Sequence, residues 1–413
     1  MKILHTADWH LGKRLDRFER LDEQRLVMAE ICDIAEREQV QLVLIAGDLF
    51  DTYNPPAQAT ELFYKTVKRL AADGRRAVVA IAGNHDSADR IAAPDPLARE
   101  CGILLAGYPD AVVPEFELGS GLRVTQSEPG FAELALPGEA APVRLLLTPY
   151  ANEQRLKTFL GMEEAEQTMR ELLAERWKTL ADKYCDERGI NLLVAHLFFT
   201  PASGEAVEEP EDEKPVLHVG GAQQLYADSI PPQLQYTALG HLHRCIEIRG
   251  GARPVMYSSS PLSYSFSEAE QQKYVMIVEA EPGQPAKVRR VPLHSGRPLK
   301  RLKANGLEEA LAQLRENQDA LIELSLTTET YLNAAETRML HDTHAGIVTI
   351  IPYVTQQAGE PAEEAGLIDL QRPMHELFAD YFRSKNGNQA PGEALMTLFR
   401  EVQAGSTETE EAP

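Results

Sequence analysis

Thiols are scarce in this chain. Its four cysteines, Cys32, Cys101, Cys185 and Cys245, are scattered and form no CxxC pair, which excludes a disulfide framework and a thiolate metal site and leaves core or surface thiols. No apolar run approaches the roughly eighteen residues that span a bilayer. Asp8 interrupts any signal-like stretch at the amino terminus, so the sequence reads as cytoplasmic, without a membrane segment. A GxxxxGK[ST] loop is also absent, so any ATP dependence has to come from a partner. Positive charge is in deficit: 41 Lys and Arg against 63 Asp and Glu give a net charge of −22. That is the wrong sign for a nucleic-acid surface unless the cations are concentrated, because phosphate contacts need Lys and Arg.

They are concentrated. Residues 287–303 carry Lys287, Arg289, Arg290, Arg297, Lys300, Arg301 and Lys303 and no acid, while GEAVEEPEDE at 204–213 and the tail TETEEAP gather acids and read as solvated segments. The basic run reads either as a strand with a charged outer face or as a DNA-contacting surface that tracks phosphates beside a site.

With 413 residues, 43% hydrophobic and 25% charged, the chain can bury a large core in two or three domains. Strand-like runs alternate with helical segments to about residue 102, which predicts a sheet with crossover helices. One such helix, Asp22 to Glu38, is expected to present Leu26, Ala29, Ile31 and Ile34 on its apolar face, and another at about 163–188 to turn Met169, Leu172, Leu173 and Leu180 inward. Short strands at 103–148 and 253–292 complete an α/β fold, a two-layer β-sandwich flanked by helices. After Pro298 comes a small α+β module: a helix near 307–316, a strand at 320–328, a helix near 333–341 and a strand at 346–354. A linker-like stretch follows, then a helix-loop-helix. Met374, Leu377, Phe378, Tyr381 and Phe382 stripe its first helix, and Leu395, Leu398, Phe399 and Val402 its second. These two faces fold back on the first domain, cover each other, or bind a partner.

Five short apolar runs each end on a metal-ligand side chain: KILHTADWH at 2–10, LVLIAGDLFD at 42–51, VVAIAGNHD at 78–86, LLVAH at 192–196 and YTALGHLH at 236–243. Residues two apart on an extended strand share a face, so Asp8 with His10, and His241 with His243, are expected to reach one cleft. Two cations about 3.5 to 4 Å apart need a shared anionic ligand, for which Asp48 is the natural bridge, with Asn84 and His196 completing the set. Mixed imidazole and carboxylate donors suit Mn²⁺ first, with Mg²⁺, Fe²⁺ or Zn²⁺ as alternatives. Taken singly, His196 reads as a core histidine and GDLFD as a turn. Three Gly-Asx/His turns after the same apolar pattern, at Gly47, Gly83 and Gly240, outweigh that reading.

The series DxH, GDxxD, GNH[DE], H and GHxH, complete and in order, resembles the calcineurin-like metallophosphoesterase superfamily. HTADWHLGK, GDLFDTYNPP, GNHDS, GHLHR, YSSSPLSYSFSE and PLHSGRPLKRLK narrow the resemblance to the SbcD family of bacterial exonuclease subunits. That resemblance implies one metal on Asp8, His10, Asp48 and His243 and a second on Asp48, Asn84, His196 and His241. His85 would be the acid at the leaving oxygen, Asp86 its orienting carboxylate, and Asp51 a carboxylate that orients a ligand histidine. It also implies a Mn²⁺-dependent nuclease at 1–297, a DNA-capping domain at 298–356, a linker at 357–366, a helix-loop-helix at 367–404 and an acidic tail at 405–413. The helix-loop-helix would dock on the coiled coil of the SMC-like ATPase SbcC in an assembly of two copies of each chain. A homodimer through helices of the nuclease domain is implied too, with 57–73 and 87–101 as candidates by elimination. The family usually has Gly where Ser259 stands, and a shorter polar loop where 204–213 stands. Protein phosphatases show GDxxDRG and GNHE, whereas here Thr52 and Tyr53 follow Asp51 and Asp86 replaces the Glu; nucleotide phosphodiesterases are usually shorter. A non-catalytic scaffold is the alternative outside enzymes.

Overall fold

The computed structural model describes residues 1–156, 165–201, 225–355 and 374–385, and, beyond these, 391, 392, 395, 396 and 399. The acidic segment 204–213, the linker at 357–366, the tail at 405–413, and Leu398 and Val402 of the second apolar stripe lie outside them.

Two sheets face each other. The first has six strands in the order Lys287–Pro292, Tyr274–Glu279, Lys2–Thr6, Leu42–Ala46, Ala77–Ile81 and Ile103–Ala106. Its last four run parallel, each a short apolar run buried on both faces, which is what a doubly covered parallel sheet requires. The second has eight strands, and its middle is again parallel: Val143–Thr148, Ile190–His196, Tyr236–Gly240 and Val255–Ser258. Between the sheets Ile3, Leu44 and Val79 meet Leu145, Leu192 and Ala238. Helices Leu21–Arg37 and Ala57–Ala71 cover the outer face of the first sheet through Met28, Ile31, Phe63 and Val67. Helix Ala165–Tyr184 covers the second through Met169, Leu173, Leu180 and Trp177, with Leu172 partly buried beside them.

Of the four residues expected on the inner face of the Leu21–Arg37 helix, Ile31 and Ile34 are buried, and Leu26 and Ala29 are not. Leu26 is 61% exposed and Ala29 is exposed, while Gln24, Val27, Met28, Ile31, Cys32, Ile34 and Ala35 face in. Gln24 Nε2 donates to the His10 carbonyl oxygen at 2.8 Å, its Oε1 accepts from the Gly12 N–H at 2.9 Å, and Glu23 receives both Arg20 and Arg297. Two buried polar residues thus share the inner face with the apolar stripe of Val27, Met28, Ile31, Ile34 and Ala35.

Strands Leu299–Asn305, Leu321–Thr328 and Ile347–Val354 form a separate parallel sheet, crossed by helices Leu307–Glu316 and Ala334–Thr343 around Ala310, Leu314, Ile322, Leu324 and Leu340. A two-stranded hairpin just after His10 docks on it. Leu15 of that hairpin packs with Leu299 and Leu321, and the Arg17 guanidinium donates to the Ile347 carbonyl oxygen at 3.0 Å. In helix Met374–Lys385, Phe378 stacks on Phe399 with ring centroids 4.1 Å apart, so the two apolar stripes meet. Among the described residues, no helix is long and apolar enough to cross a membrane.

Trp177 is 1% exposed, and its Nε1–H donates to Thr148 Oγ1 at 2.9 Å. Trp177→Ala opens a cavity and strands that hydroxyl, so we expect a loss of about 3 to 5 kcal/mol, read as a lowered urea midpoint.

Candidate metal centre

Three neighbouring parallel strands of the first sheet and two of the second point their carboxyl ends at one seam. Asp8 and His10 follow Lys2–Thr6, Asp48 follows Leu42–Ala46, and Asn84 and His85 follow Ala77–Ile81. From the other sheet, His196 ends its strand, while His241 and His243 follow Tyr236–Gly240. A Cβ on Gly83 would lie 2.1 Å from Asp48 Oδ1 and one on Gly240 1.9 Å from the Ala46 carbonyl oxygen, so both glycines are there for space.

Strand alternation does not bring the paired residues together, contrary to the expectation. The strands stop at Thr6 and Gly240, and Asp8, His10, Asp48 and His241 all have positive φ, at 54°, 43°, 47° and 113°. Such backbone is strained for L-residues, by about 1 to 3 kcal/mol each, and survives only where neighbours over-determine it. The bonds that do so are present. Asp8 N–H donates to the Gly47 carbonyl oxygen at 3.0 Å, His10 N–H to that of Asp48 at 2.9 Å, and His241 N–H to Asp8 Oδ1 at 2.9 Å.

The donor atoms converge from both sheets. Asp48 Oδ2 lies 3.5 Å from His10 Nε2 and 3.5 Å from His196 Nε2, between the two halves of the cluster, the position of a bridging ligand. His10 Nε2 and His243 Nε2 approach to 3.0 Å, and Asn84 Oδ1 stands 2.8 Å from His196 Nε2 and 3.2 Å from His241 Nδ1. Ligand atoms of Asp8, His10 and Asp48 lie within 4.8 Å of one another. Buried Asp8 Oδ2 and His10 Nδ1 make no hydrogen bond. Carboxylate and imidazole donors crowded into a buried seam, with an orphaned carboxylate oxygen among them, fit divalent cations held by oxygen and nitrogen.

Charge is distributed unevenly over these groups. Burial pushes the Asp8 carboxyl up to about 7 and the His10 imidazole well below its usual value, which leaves His10 in the neutral, ligating form. At Asp48 burial acts upward but is outweighed by His196, His85 and His10, which hold the carboxylate well below its usual range. His5, buried on the strand that leads to this cluster and bonded to the Tyr236 hydroxyl at 2.8 Å, is pushed down to about 3 by burial and is a core histidine.

Behind the donors sits a layer of orienting groups. His196 Nδ1–H donates to the Ala46 carbonyl oxygen at 2.8 Å, which leaves Nε2 as the coordinating atom. Asp51 Oδ1 lies 3.7 Å from His10 Nδ1 and accepts from Lys13 Nζ at 2.9 Å. His85 turns Nδ1 to the Asp51 carbonyl oxygen at 2.8 Å.

Asp86 differs from its expected role. It does not orient His85; its carboxylate accepts the backbone N–H groups of Gly83 at 2.8 Å, Phe50 at 2.9 Å and Leu49 at 3.0 Å, tying the GNHD turn to the GDLF turn. Three further residues were not legible as site residues. Arg155 donates to the carbonyl oxygens of Gly83 at 2.8 Å and Asp86 at 2.6 Å. Glu268 stands 3.1 Å from His243 Nδ1 and is paired with buried Lys273. Burial pushes the Glu268 carboxyl up, but His243 and Lys273 outweigh it and hold it well below the usual range. The sequence signals for Glu268 were the S-x-x-E of a capping box, at Ser265, and its place at the end of the family-like segment YSSSPLSYSFSE.

The seven cations of 287–303 do not form a single strip beside the site, one of the two arrangements that their sequence left open. Lys287, Arg289 and Arg290 lie on the outermost strand of the first sheet, where Lys287 is level with Glu279 and Lys2, at the end of the strands away from Asp8. Lys300, Arg301 and Lys303 lie on the separate three-stranded sheet. Arg289 is bonded to Glu38 at 2.6 Å, Arg297 to Glu23 at 2.9 Å, Lys300 to Asn317 at 2.7 Å and Arg301 to Glu323 at 2.8 Å. Alternation along two edge strands and local acids divide what proximity in sequence suggested was continuous. Ser259, where the resembling family usually has Gly, has φ 84° and anchors its hydroxyl to the Tyr274 N–H at 3.0 Å.

Asp86→Asn removes an acceptor from buried N–H groups, and we expect it to cost about 2 kcal/mol or more in urea unfolding. Unchanged stability would return Asp86 to a role at His85 alone.

Residues 1–210 match the model of the calcineurin-like phosphoesterase family. The chain is 36% identical to the SbcD component of the nuclease SbcCD from Bacillus subtilis (strain 168) over 99% of each chain. It is 34% identical to the protein of the same name from Rhodobacter capsulatus over 76% of this chain and 75% of that one, and 29% identical to that of Escherichia coli (strain K12) over 81% and 80%. A donor cluster built where the parallel strands of two mixed sheets end, and a likeness that runs the full length of a relative, lead to one conclusion: the chain belongs to the calcineurin-like phosphoesterases and, within them, to the SbcD family of SbcCD nuclease components.

Proposed function

We propose that this chain is a cytoplasmic, metal-dependent DNA nuclease that hydrolyses phosphodiester bonds, degrading duplex ends 3′ to 5′ and cutting single strands and hairpins. Its place is in DNA repair, recombination and replication. The observation that carries this is full-length likeness to a nuclease component, together with the converging donors of Asp8, His10, Asp48, Asn84, His196, His241 and His243.

Two bound divalent cations, Mn²⁺ first among the candidates, would polarise the phosphodiester and stabilise the charge that builds on its oxygens. The chain's own residues supply position and a proton. Asp48, held as a carboxylate, is shared between the two halves of the cluster, and its Oδ1 accepts the His85 N–H at 2.9 Å, which sets the distance from the bridging ligand to His85. His85, with Nδ1 on the Asp51 carbonyl oxygen, is left with Nε2 to protonate the departing oxygen.

The partner in this proposal is the ATPase SbcC, two copies with two of this chain, docked through the helices around Phe378 and Phe399. The module built on strands Leu299–Asn305, Leu321–Thr328 and Ile347–Val354 would cap the DNA, with Lys303 its most available cation of the 287–303 run.

An end-labelled linear duplex incubated with the purified chain and Mn²⁺ tests the activity. Cleavage is expected, and it should vanish with EDTA and with Asp48→Ala, which also loses the metals. His85→Gln should keep its metal content and lose about 10²- to 10⁴-fold in turnover. Normal cleavage by His85→Gln removes that residue from the chemistry. Cleavage of a small phosphodiester but not of DNA, with or without SbcC and ATP, would favour a nucleotide phosphodiesterase.

A further inference from the structure

His243 is held differently from His196. The His196 ring leans on a neutral backbone carbonyl, whereas His243 turns Nδ1 to a carboxylate, Glu268 Oε1, at 3.1 Å. Glu268 is 1% exposed and accepts from the Tyr264 N–H at 3.0 Å, the Ser265 N–H at 3.2 Å and Ser260 Oγ at 3.2 Å, besides its pairing with Lys273. Lys273 is 6% exposed, and its Nζ donates to the His243 carbonyl oxygen at 2.8 Å and to Ser260 Oγ at 3.0 Å. One buried charge pair therefore grips both the ring and the backbone of the same histidine.

A capping box needs only a side-chain oxygen on the Ser265 N–H, which a lone glutamine would supply. It does not need a buried ammonium, whose desolvation is costly. A proton kept on Nδ1 by Glu268 points the Nε2 lone pair into the seam, where Nε2 sits 3.0 Å from His10 Nε2. A carboxylate behind a histidine also makes it a stronger donor.

We propose that Glu268 and Lys273 are a positioning pair for His243, which fixes its tautomer and sets the affinity of one of the two metal positions. This rests on the metal-dependent reading above. Ser260 is the third member of the shelf, bonded to both charged groups.

Mn²⁺ titration calorimetry on the chelator-treated full chain tests the pair without recourse to activity. Glu268→Gln alone would leave Lys273 buried and unpaired, so the charge-neutral combinations Glu268→Gln with Lys273→Met and Glu268→Leu with Lys273→Met are compared with wild type. Glutamine keeps an acceptor on Nδ1 and leucine does not. We expect losses of about 10-fold and about 100-fold, respectively, at one of two sites, with the other unchanged. Wild-type affinity at both sites in both folded variants overturns the proposal. Failure of the wild type to bind two ions would instead sink the metal-dependent reading itself. Should the combinations not fold by circular dichroism, ¹⁵N-histidine spectra of metal-free wild type decide: an Nδ1–H tautomer at His243 supports the pair, and an Nε2–H tautomer overturns it.

Discussion

Everything at the site depends on how closely the carboxyl ends of the two sheets approach. The Ala46 carbonyl oxygen, at the end of a first-sheet strand, accepts Nδ1–H of His196, at the end of a second-sheet strand, across 2.8 Å. The same oxygen would be 1.9 Å from any Cβ at position 240. That approach is possible because the edge residues are glycine and because the interior between the sheets is filled with medium-sized aliphatic side chains. Donors from five strands can then share one small volume, and Asp48 can face both halves of it.

The seam is also where the backbone is least relaxed. Four of the seven expected ligands stand at positive φ, and the strain is offset by hydrogen bonds from residues with no direct part in chemistry. Asp86 collects three N–H groups of the two adjoining turns, Arg155 two carbonyls, and Gln24 both the His10 carbonyl and the Gly12 N–H. Tyr264 adds a hydroxyl on the Trp9 carbonyl oxygen and lays its ring edge-on to His10, 5.5 Å between centroids. These buried polar groups are satisfied by the loops they hold, which ties those loops to one another.

The same contacts tie the separate three-stranded module to the site. Glu23, on the helix that supplies Gln24, receives both Arg20 and Arg297, and Arg297 precedes Pro298 at the start of that module. Arg20 in turn donates to the Ser263 carbonyl oxygen, within the loop that carries Glu268. On the other side, the hairpin after His10 packs Leu15 against the module and bonds Arg17 to its Ile347 carbonyl oxygen. The module is thus bonded to the hairpin that follows His10 and, through Glu23 and Arg20, linked to the loop that carries Glu268.

The amino-acid sequence by itself determined the alternation of strands and helices, a small module after Pro298 and the identity of the donor side chains; that module's all-parallel sheet with crossover helices makes it α/β rather than the α+β expected. Those properties are local: apolar runs of strand length, helical periodicity, and Asp, Asn and His placed where the runs stop. It could not reveal why the donors converge, which is left-handed backbone beyond the strand ends rather than alternation along them. Nor could it show that Glu23 and Gln24 are buried on Leu21–Arg37 while Leu26 is exposed, or name the partners of Asp86 and Glu268. The tertiary structure alone decided that Asp86 braces two turns, that Glu268 backs His243 from 25 residues away, and that the basic run is divided between two sheets. Each of these is a contact between segments distant in sequence, and a side chain's chemistry does not say which distant backbone or charge the fold will bring to it.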